Sequence, residues 1–318
     1  TTSGSYFATL ENANGCDSLF APITVHVNPL PTGVISGDGT VCQNGPNQTI
    51  TFIGSGSVAP YLFSYNINGG STQTVTSVGN TATLSVNPSA AGTFVYNLLS
   101  VKDACTAGCL NAQTGAVTIV VNPLPTATMS GTTTVCQGSA SPQITFPGAG
   151  RSNTYTFTYK DWAGTTQTVT NTTSNSVTID APTNLAGVFT YSLISVKDAS
   201  STSCSNLQSG SATITVNPTP IATIVGTTTV CLGGTAPVLT FHNPQSLPVT
   251  ITYQINTGSN TTINLDANSD LTVSAPTTTA GTFDYKLLTV AYQSGPACSN
   301  SITGNATVCS GTAQSYSV

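Results

Sequence analysis

A-G-T-F-V-Y-N-L-L-S-V at Ala91–Val101 returns as A-G-V-F-T-Y-S-L-I-S-V at Ala186–Val196 and as A-G-T-F-D-Y-K-L-L-T-V at Ala280–Val290. Phe94, Tyr96 and Leu98 alternate with Val95 and Asn97, a period of two that marks a strand with one buried face. The same parity selects Phe189, Tyr191 and Leu193, and Phe283, Tyr285 and Leu287. Leu99 and Val101 then switch parity, as do Ile194 and Val196, and Leu288 and Val290, which predicts a bulge or an edge crossing. Gly92, Gly187 and Gly281 stand just before the strand, where a positive φ is expected.

Outward from that strand the repetition continues. V-N-P-L-P-T at Val27–Thr32 recurs at Val121–Thr126 and as V-N-P-T-P-I at Val216–Ile221. T-V-C ends at Cys42, Cys136 and Cys231, in steps of 94 and 95 residues. Three copies of one unit are therefore present. Within copy two, strand candidates are 126–130, 143–146, 155–159, 167–170, 176–179, 188–196 and 212–216. Asn68-Gly69 is a hairpin turn signal, with Ala163-Gly164 and Thr257-Gly258 in the same place. No window holds a helical period. Seven short strands per unit predict an all-β chain of tandem immunoglobulin-like antiparallel β-sandwiches.

The expected domains are 1–28, the last part of a truncated repeat; 29–122, 123–217 and 218–308, three full repeats; and 309–318, the start of a further one. The segment Ile302–Val318 also aligns with the closing strand of copy two, Gly304–Val308 falling on Gly210–Ile214. Both readings of that segment stand at this stage. The joints carry two prolines in four residues, which fix φ and favour an extended link. An extended, semi-rigid array adding roughly 40 Å per unit is expected.

Composition narrows the function classes. Lys+Arg is 5 and Asp+Glu is 10 in 318 residues, so 5% of positions are charged, against about 25% in an ordinary soluble domain. Five basic residues cannot neutralise a phosphate backbone, which argues against nucleic acid as a partner. The longest nearly apolar run, Ala116–Val121, is interrupted by Thr118 and is far too short for a membrane helix. Low Lys/Arg content also leaves few trypsin sites, an advantage outside the cell.

Nine cysteines in such a β repeat point to an oxidising compartment. Each unit holds one early and one late cysteine, and pairing within the unit predicts Cys42–Cys109, Cys136–Cys204 and Cys231–Cys298. Cys105 is extra, since Ser200 fills its place in copy two; a local Cys105–Cys109 bridge is the alternative. Cys16 and Cys309 are expected to pair outside this segment. No C-x-x-C is present and neither His26 nor His242 lies near a cysteine pair, so no metal site is expected.

N-P-L-P-T-A-T-x-S-G-T-T-T-V-C-Q at Asn122–Gln137, followed by S-P-Q-I-T-F, resembles the repeats of large cell-surface adhesins of gliding Bacteroidota. Phe63–Gly70 and S-V-K-D-A at Ser100–Ala104 and Ser195–Ala199 extend the resemblance over residues 29 to about 300. It implies type IX secretion, display at the extracellular cell surface, and contact with a substratum through other parts of a long chain that also meets the gliding or secretion machinery. Copy three departs from it, with A-Y-Q-S-G-P where the others have K-D-A.

Catalytic chemistry is absent from the motifs. There is no G-x-S-x-G, P-loop or H-E-x-x-H, the only Glu is Glu11, and no cofactor is expected. Asp266–Asp270 opens like a calcium loop, but Leu271 stands where Gly is needed, so a solvated turn is expected. Trp162, at an expected hairpin tip, is a candidate for stacking on a sugar ring. Lys102-Asp103 and Lys197-Asp198 read as exposed loop charges, with an isopeptide bond as the sharper alternative. Asp17-Ser18-Leu19 matches a short O-glycosylation pattern that the resemblance implies, placing a glycan on Ser18. The leading expectation is a structural stalk whose partners are the neighbouring repeats of its own polypeptide. The alternatives are a glycan- or surface-binding module using loops 54–60, 148–154 and 242–248, and a fibre assembled through sheet edges.

Overall fold

The computed structural model describes residues 3–11, 13–15, 17–172 and 174–311. Four short strands come first: β1 (Gly4–Tyr6), β2 (Thr9–Glu11), β3 (Asp17–Leu19) and β4 (Ile23–Val25). β1 pairs with β4 and β2 with β3.

The first repeat holds β5 (Thr32–Ser36), β6 (Gly39–Cys42), β7 (Gln48–Ser55), β8 (Leu62–Ile67), β9 (Gln73–Thr76), β10 (Thr81–Val86), β11 (Gly92–Lys102), β12 (Leu110–Ala112) and β13 (Ala116–Asn122). One sheet runs β10-β7-β5 and the other β6-β13-β11-β8-β9, with β12 appended to β11. The β6–β13 pair is parallel and the rest of the second sheet is antiparallel, which is the immunoglobulin arrangement. The second repeat has the same plan in β14 (Thr126–Ala127), β15 (Thr133–Cys136), β16 (Gln143–Ala149), β17 (Tyr155–Lys160), β18 (Thr166–Thr170), β19 (Ser176–Asp180), β20 (Gly187–Asp198), β21 (Ser205–Leu207) and β22 (Ser211–Asn217). So does the third, in β23 (Thr223–Val225), β24 (Thr228–Cys231), β25 (Val238–Asn243), β26 (Val249–Ile255), β27 (Asn260–Leu265), β28 (Ser269–Ser274), β29 (Gly281–Tyr292), β30 (Ser299–Ser301) and β31 (Asn305–Gly311).

Each sandwich has its own core. In the first, the Phe52 ring lies 5.4 Å from those of Phe63 and Tyr65, in one core with Tyr96, Leu98 and Val101 of β11. Phe189, Tyr191 and Leu193, and Tyr285 and Leu287, take the same inward positions. The parity switch is a bulge: the register slips between Leu98 and Ser100, and again where Thr252 and Tyr253 face Thr289 and Leu287. Without that extra residue Val101 and Val290 would point outward, so the bulge keeps both ends of a long strand in the core.

Two strands per repeat escaped the sequence reading. In the second they are β15 and β21, short and rich in Thr, Ser and Asn. Such runs carry no clean alternation because they lie on sheet edges, held by one neighbour each. The tail also resolves. β31 is a closing strand, with Thr282 facing Cys309 and Gly281 facing Ser310. Residues 309–311 thus belong to the third sandwich rather than opening a further repeat, and 312–318 lie outside the described residues.

Gly131 shows what the turn before β15 demands. Its φ is +122°, and a Cβ there would collide with the carbonyl oxygen of Gln143, as one on Gly37 would with that of Thr49. Gly131→Ala should cost about 1–3 kcal/mol, read as a lower urea midpoint; an unchanged midpoint would show that the turn can relax.

The predicted disulfides within each repeat do not form. β6 lies parallel to the end of β13, with Cys42 opposite Asn122, and Gly92 at the start of β11 pairs with Val121. Cys109 follows the other end of β11, eleven residues away along the strand. Cys42 and Cys109 therefore sit at opposite poles of one sandwich, about 35 Å apart at ~3.3 Å per residue, far beyond disulfide reach. The same geometry separates Cys231 from Cys298, while Cys136 and Cys204 are each bonded to a cysteine of another repeat.

The chain divides into two compact units. The first is Thr1–Thr126 with Ala149–Asn153 and Lys197–Asn206; the second is Ala127–Gly148, Thr154–Val196 and Leu207–Val318.

Candidate functional site

The early cysteines of the first two repeats bond instead to the late cysteine of the following repeat. Cys42 joins Cys204 within the first unit and Cys136 joins Cys298 within the second, at Cα separations of 5.5 and 5.4 Å. Both bonds span 162 residues. Cys204 and Cys298 are buried, and Cys136 packs against the core of the third sandwich. Cys109 and Cys231, the late and early cysteines left over, are free thiols, as are Cys105 and Cys309. Cys16 lies outside the described residues.

A polar junction surrounds each staple. Asn122, from V-N-P, is buried; its amide nitrogen donates to Thr202 Oγ1 at 2.8 Å and its oxygen accepts from Arg151 Nη1 at 2.7 Å. In the second unit Tyr292 Oη donates to the Pro218 carbonyl at 3.0 Å, and Gln245 Nε2 to that of Thr219 at 3.1 Å. The V-N-P segment is thus docked as well as stiffened by proline.

The late cysteine is presented by a loop of fixed length. Asp103 to Cys109, Asp198 to Cys204 and Tyr292 to Cys298 each span six residues, and each loop is closed by a backbone bond from the first residue's N–H to the cysteine carbonyl, at 3.1, 2.9 and 3.1 Å. Asp103 and Asp198 are buried, against the expectation of exposed charges, while Lys102 and Lys197 are exposed. Asp198 Oδ1 accepts from the Cys204 N–H at 3.0 Å and from Ser200 Oγ at 2.6 Å. Asp103 Oδ1 accepts from the Cys109 N–H at 2.8 Å and the Cys105 thiol at 2.9 Å, and Oδ2 accepts from Ser57 Oγ. A carboxylate that accepts several donors earns its burial by holding the turn. Asp198→Ala should cost about 1–3 kcal/mol and raise the fraction of free Cys204 thiol after oxidative refolding; full staple formation would show that the turn needs no carboxylate.

The hydrogen bond from Cys105, then that from Ser57, hold the Asp103 carboxyl below its ordinary range. The sign follows: its contribution is complete above the ordinary carboxylate pKa and is lost as pH falls through the lowered one. The Cys109 thiol is pushed up by the Cys105 thiol bonded to it, then by burial and by the charges of Cys105 and Asp103. Asp103, Cys105 and Cys109 also form a set of three ligand-type atoms within 4.8 Å of one another. Its spacing, C-x-x-x-C beside an aspartate, was readable in the sequence, but only the buried turn brings the three side chains together.

Trp162 stands half-exposed and meets the Phe189 ring edge-on at a centroid distance of 5.3 Å. The Asp266–Asp270 segment is a tight turn: Asn268 takes a φ of 49°, and Asp270 faces His242 at 2.5 Å across β25 and β28. The Ser18 side chain lies outside the described residues. No helix among the described residues is long and apolar enough to cross a membrane.

No family model and no curated protein matches this chain. Among solved structures, a Ca²⁺-stabilised adhesin that helps an Antarctic bacterium bind ice aligns with 98% of this chain and 81% of its own, at 18% identity and a TM-score of 0.43. A 1.5-MDa bacterial ice-binding adhesin covers 90% of this chain and 98% of its own at 16% identity, TM-score 0.42. Invasin, a bacterial integrin-binding protein, covers 89% and 60% at 14% identity, TM-score 0.30. The sandwich assignment rests on the strand order and pairing described above.

Proposed function

We propose that this chain is a stalk segment of a secreted cell-surface adhesin, serving surface attachment and gliding motility after type IX export in a bacterium of the Bacteroidota. The observation that carries the structural part is the overlap of the two staples: the span from Cys42 to Cys204 and that from Cys136 to Cys298 share residues 136–204, so no repeat can be drawn away from its neighbour without breaking sulfur. Covalent continuity between folded units is what a load-bearing spacer needs. The low charge supports the same reading, because such a surface changes little with salt. The resemblance of the repeats supports the surface, gliding and export parts, and Ser18 is the proposed glycan acceptor.

The experiment is adhesion under flow. Beads coated with the oxidised chain, passed over glass and glycan-bearing surfaces, should be retained no better than blank beads. Retention well above blank that Trp162→Ala or exchange of loops 54–60, 148–154 or 242–248 abolishes would replace the stalk by a binding module. A scattering series in concentration should show one species; growth with concentration would favour the fibre.

A further inference from the structure

The three staple loops differ at one chemically decisive place. Four residues before the late cysteine, copy one has Cys105, copy two Ser200 and copy three Ser294. Cys105 occupies the serine's position without altering the turn. Its thiol bonds Asp103 Oδ1 as the Ser200 hydroxyl bonds Asp198 Oδ1, and the Gly108 N–H reaches the Cys105 carbonyl at 2.8 Å as the Ser203 N–H reaches that of Ser200 at 2.9 Å. What changes is the neighbour of the staple position. Cys105 Sγ lies 3.6 Å from Cys109 Sγ, near van der Waals contact, and both are partly accessible. Cys204 and Cys298, in the place of Cys109, are both committed to disulfides with another repeat.

We propose that Cys105 and Cys109 form a thiol–disulfide exchange pair, Cys109 taking a disulfide at the staple position and Cys105 resolving it. With a small disulfide RS–SR as oxidant, the minor fraction of Cys109 that has lost its proton attacks one sulfur, forms Cys109–SR and releases RS⁻. The Cys105 thiolate then attacks Cys109 Sγ, displaces the second RS⁻ and closes the local bridge. Two electrons pass from the cysteine pair to the oxidant, which leaves as two thiols that take up the protons. The same second step, applied to a disulfide between Cys109 and the early-type cysteine of another such repeat, frees that cysteine. The first repeat thus carries a staple position whose disulfide can open, whereas serine leaves the staples at Cys204 and Cys298 without a resolving thiol beside them. The inference rests on the stapling, and failure of the bead assay would leave it standing.

The test uses the whole chain with both staples formed, incubated with oxidised glutathione and mapped by mass spectrometry without reduction. The native chain should yield a Cys105–Cys109 bridged peptide with little glutathione retained at Cys109. Cys105→Ser, which installs the residue that copy two carries there, should retain about tenfold more glutathione at Cys109. Equal retention in the two chains, no bridged peptide in the native one, or exchange of Cys109 with Cys42 instead would overturn the proposal.

Discussion

Stretched end to end by an optical trap, the oxidised chain should stop about 640 Å short of the length reached by the reduced chain, at ~3.4 Å per residue. Of the 256 residue steps from Cys42 to Cys298, the two staples withhold 188. The shortest covalent route crosses from Cys42 to Cys204, runs back along the chain for 68 residues to Cys136 and crosses again to Cys298. The routes that cross only once hold 94 residues each and stay slack, so both staples and the stretch between Cys136 and Cys204 carry the tension. Disulfides confined within repeats would instead withhold three separate, shorter lengths of 67, 68 and 67 residues, one from each repeat. A reduced chain no longer than the oxidised one would refute the connectivity.

The second large effect is on stability. Replacing both Cys136 and Cys298 by Ser should lower the unfolding free energy by about 2–5 kcal/mol, the loop-entropy model giving about 5 for a closure this long. The lower part of the range applies to the extent that the second sandwich, folded inside the loop, already restricts the chain. The loss should appear chiefly in the third repeat, because Cys298 is buried there and Cys136 packs against its core. The double variant's urea midpoint, followed by Tyr fluorescence, should fall. An unchanged midpoint would mean that the proline joint and the Tyr292–Pro218 bond alone hold the junction.

Much of the fold was legible because it depends on local order. Period-two alternation at Phe94, Tyr96 and Leu98 named the buried face, and the parity switch after Leu98 named the bulge. Gly92, Gly187 and Gly281 take φ near +152°, as their place before the long strand implied. Gly37 and Gly131 were missed, because their constraint is a carbonyl from a strand distant in sequence. The burial of Asp103 and Asp198 was missed for a related reason. A charged residue after a lysine at a strand end looks solvated until the donors from Ser57, Ser200 and the cysteine N–H groups are seen to converge on it.

Sequence by itself determined the repeat, the sandwich class, the inward faces and one early and one late cysteine per copy, since each of these is written in residue type and spacing. Only the tertiary structure decided which sulfur meets which. The parallel seat of β6 beside the end of β13 sends the early cysteine to one pole, and the full length of β11 carries the late one to the other. Spacing along the chain records neither pole, so equal counts within a copy suggested partners that a rigid strand keeps apart.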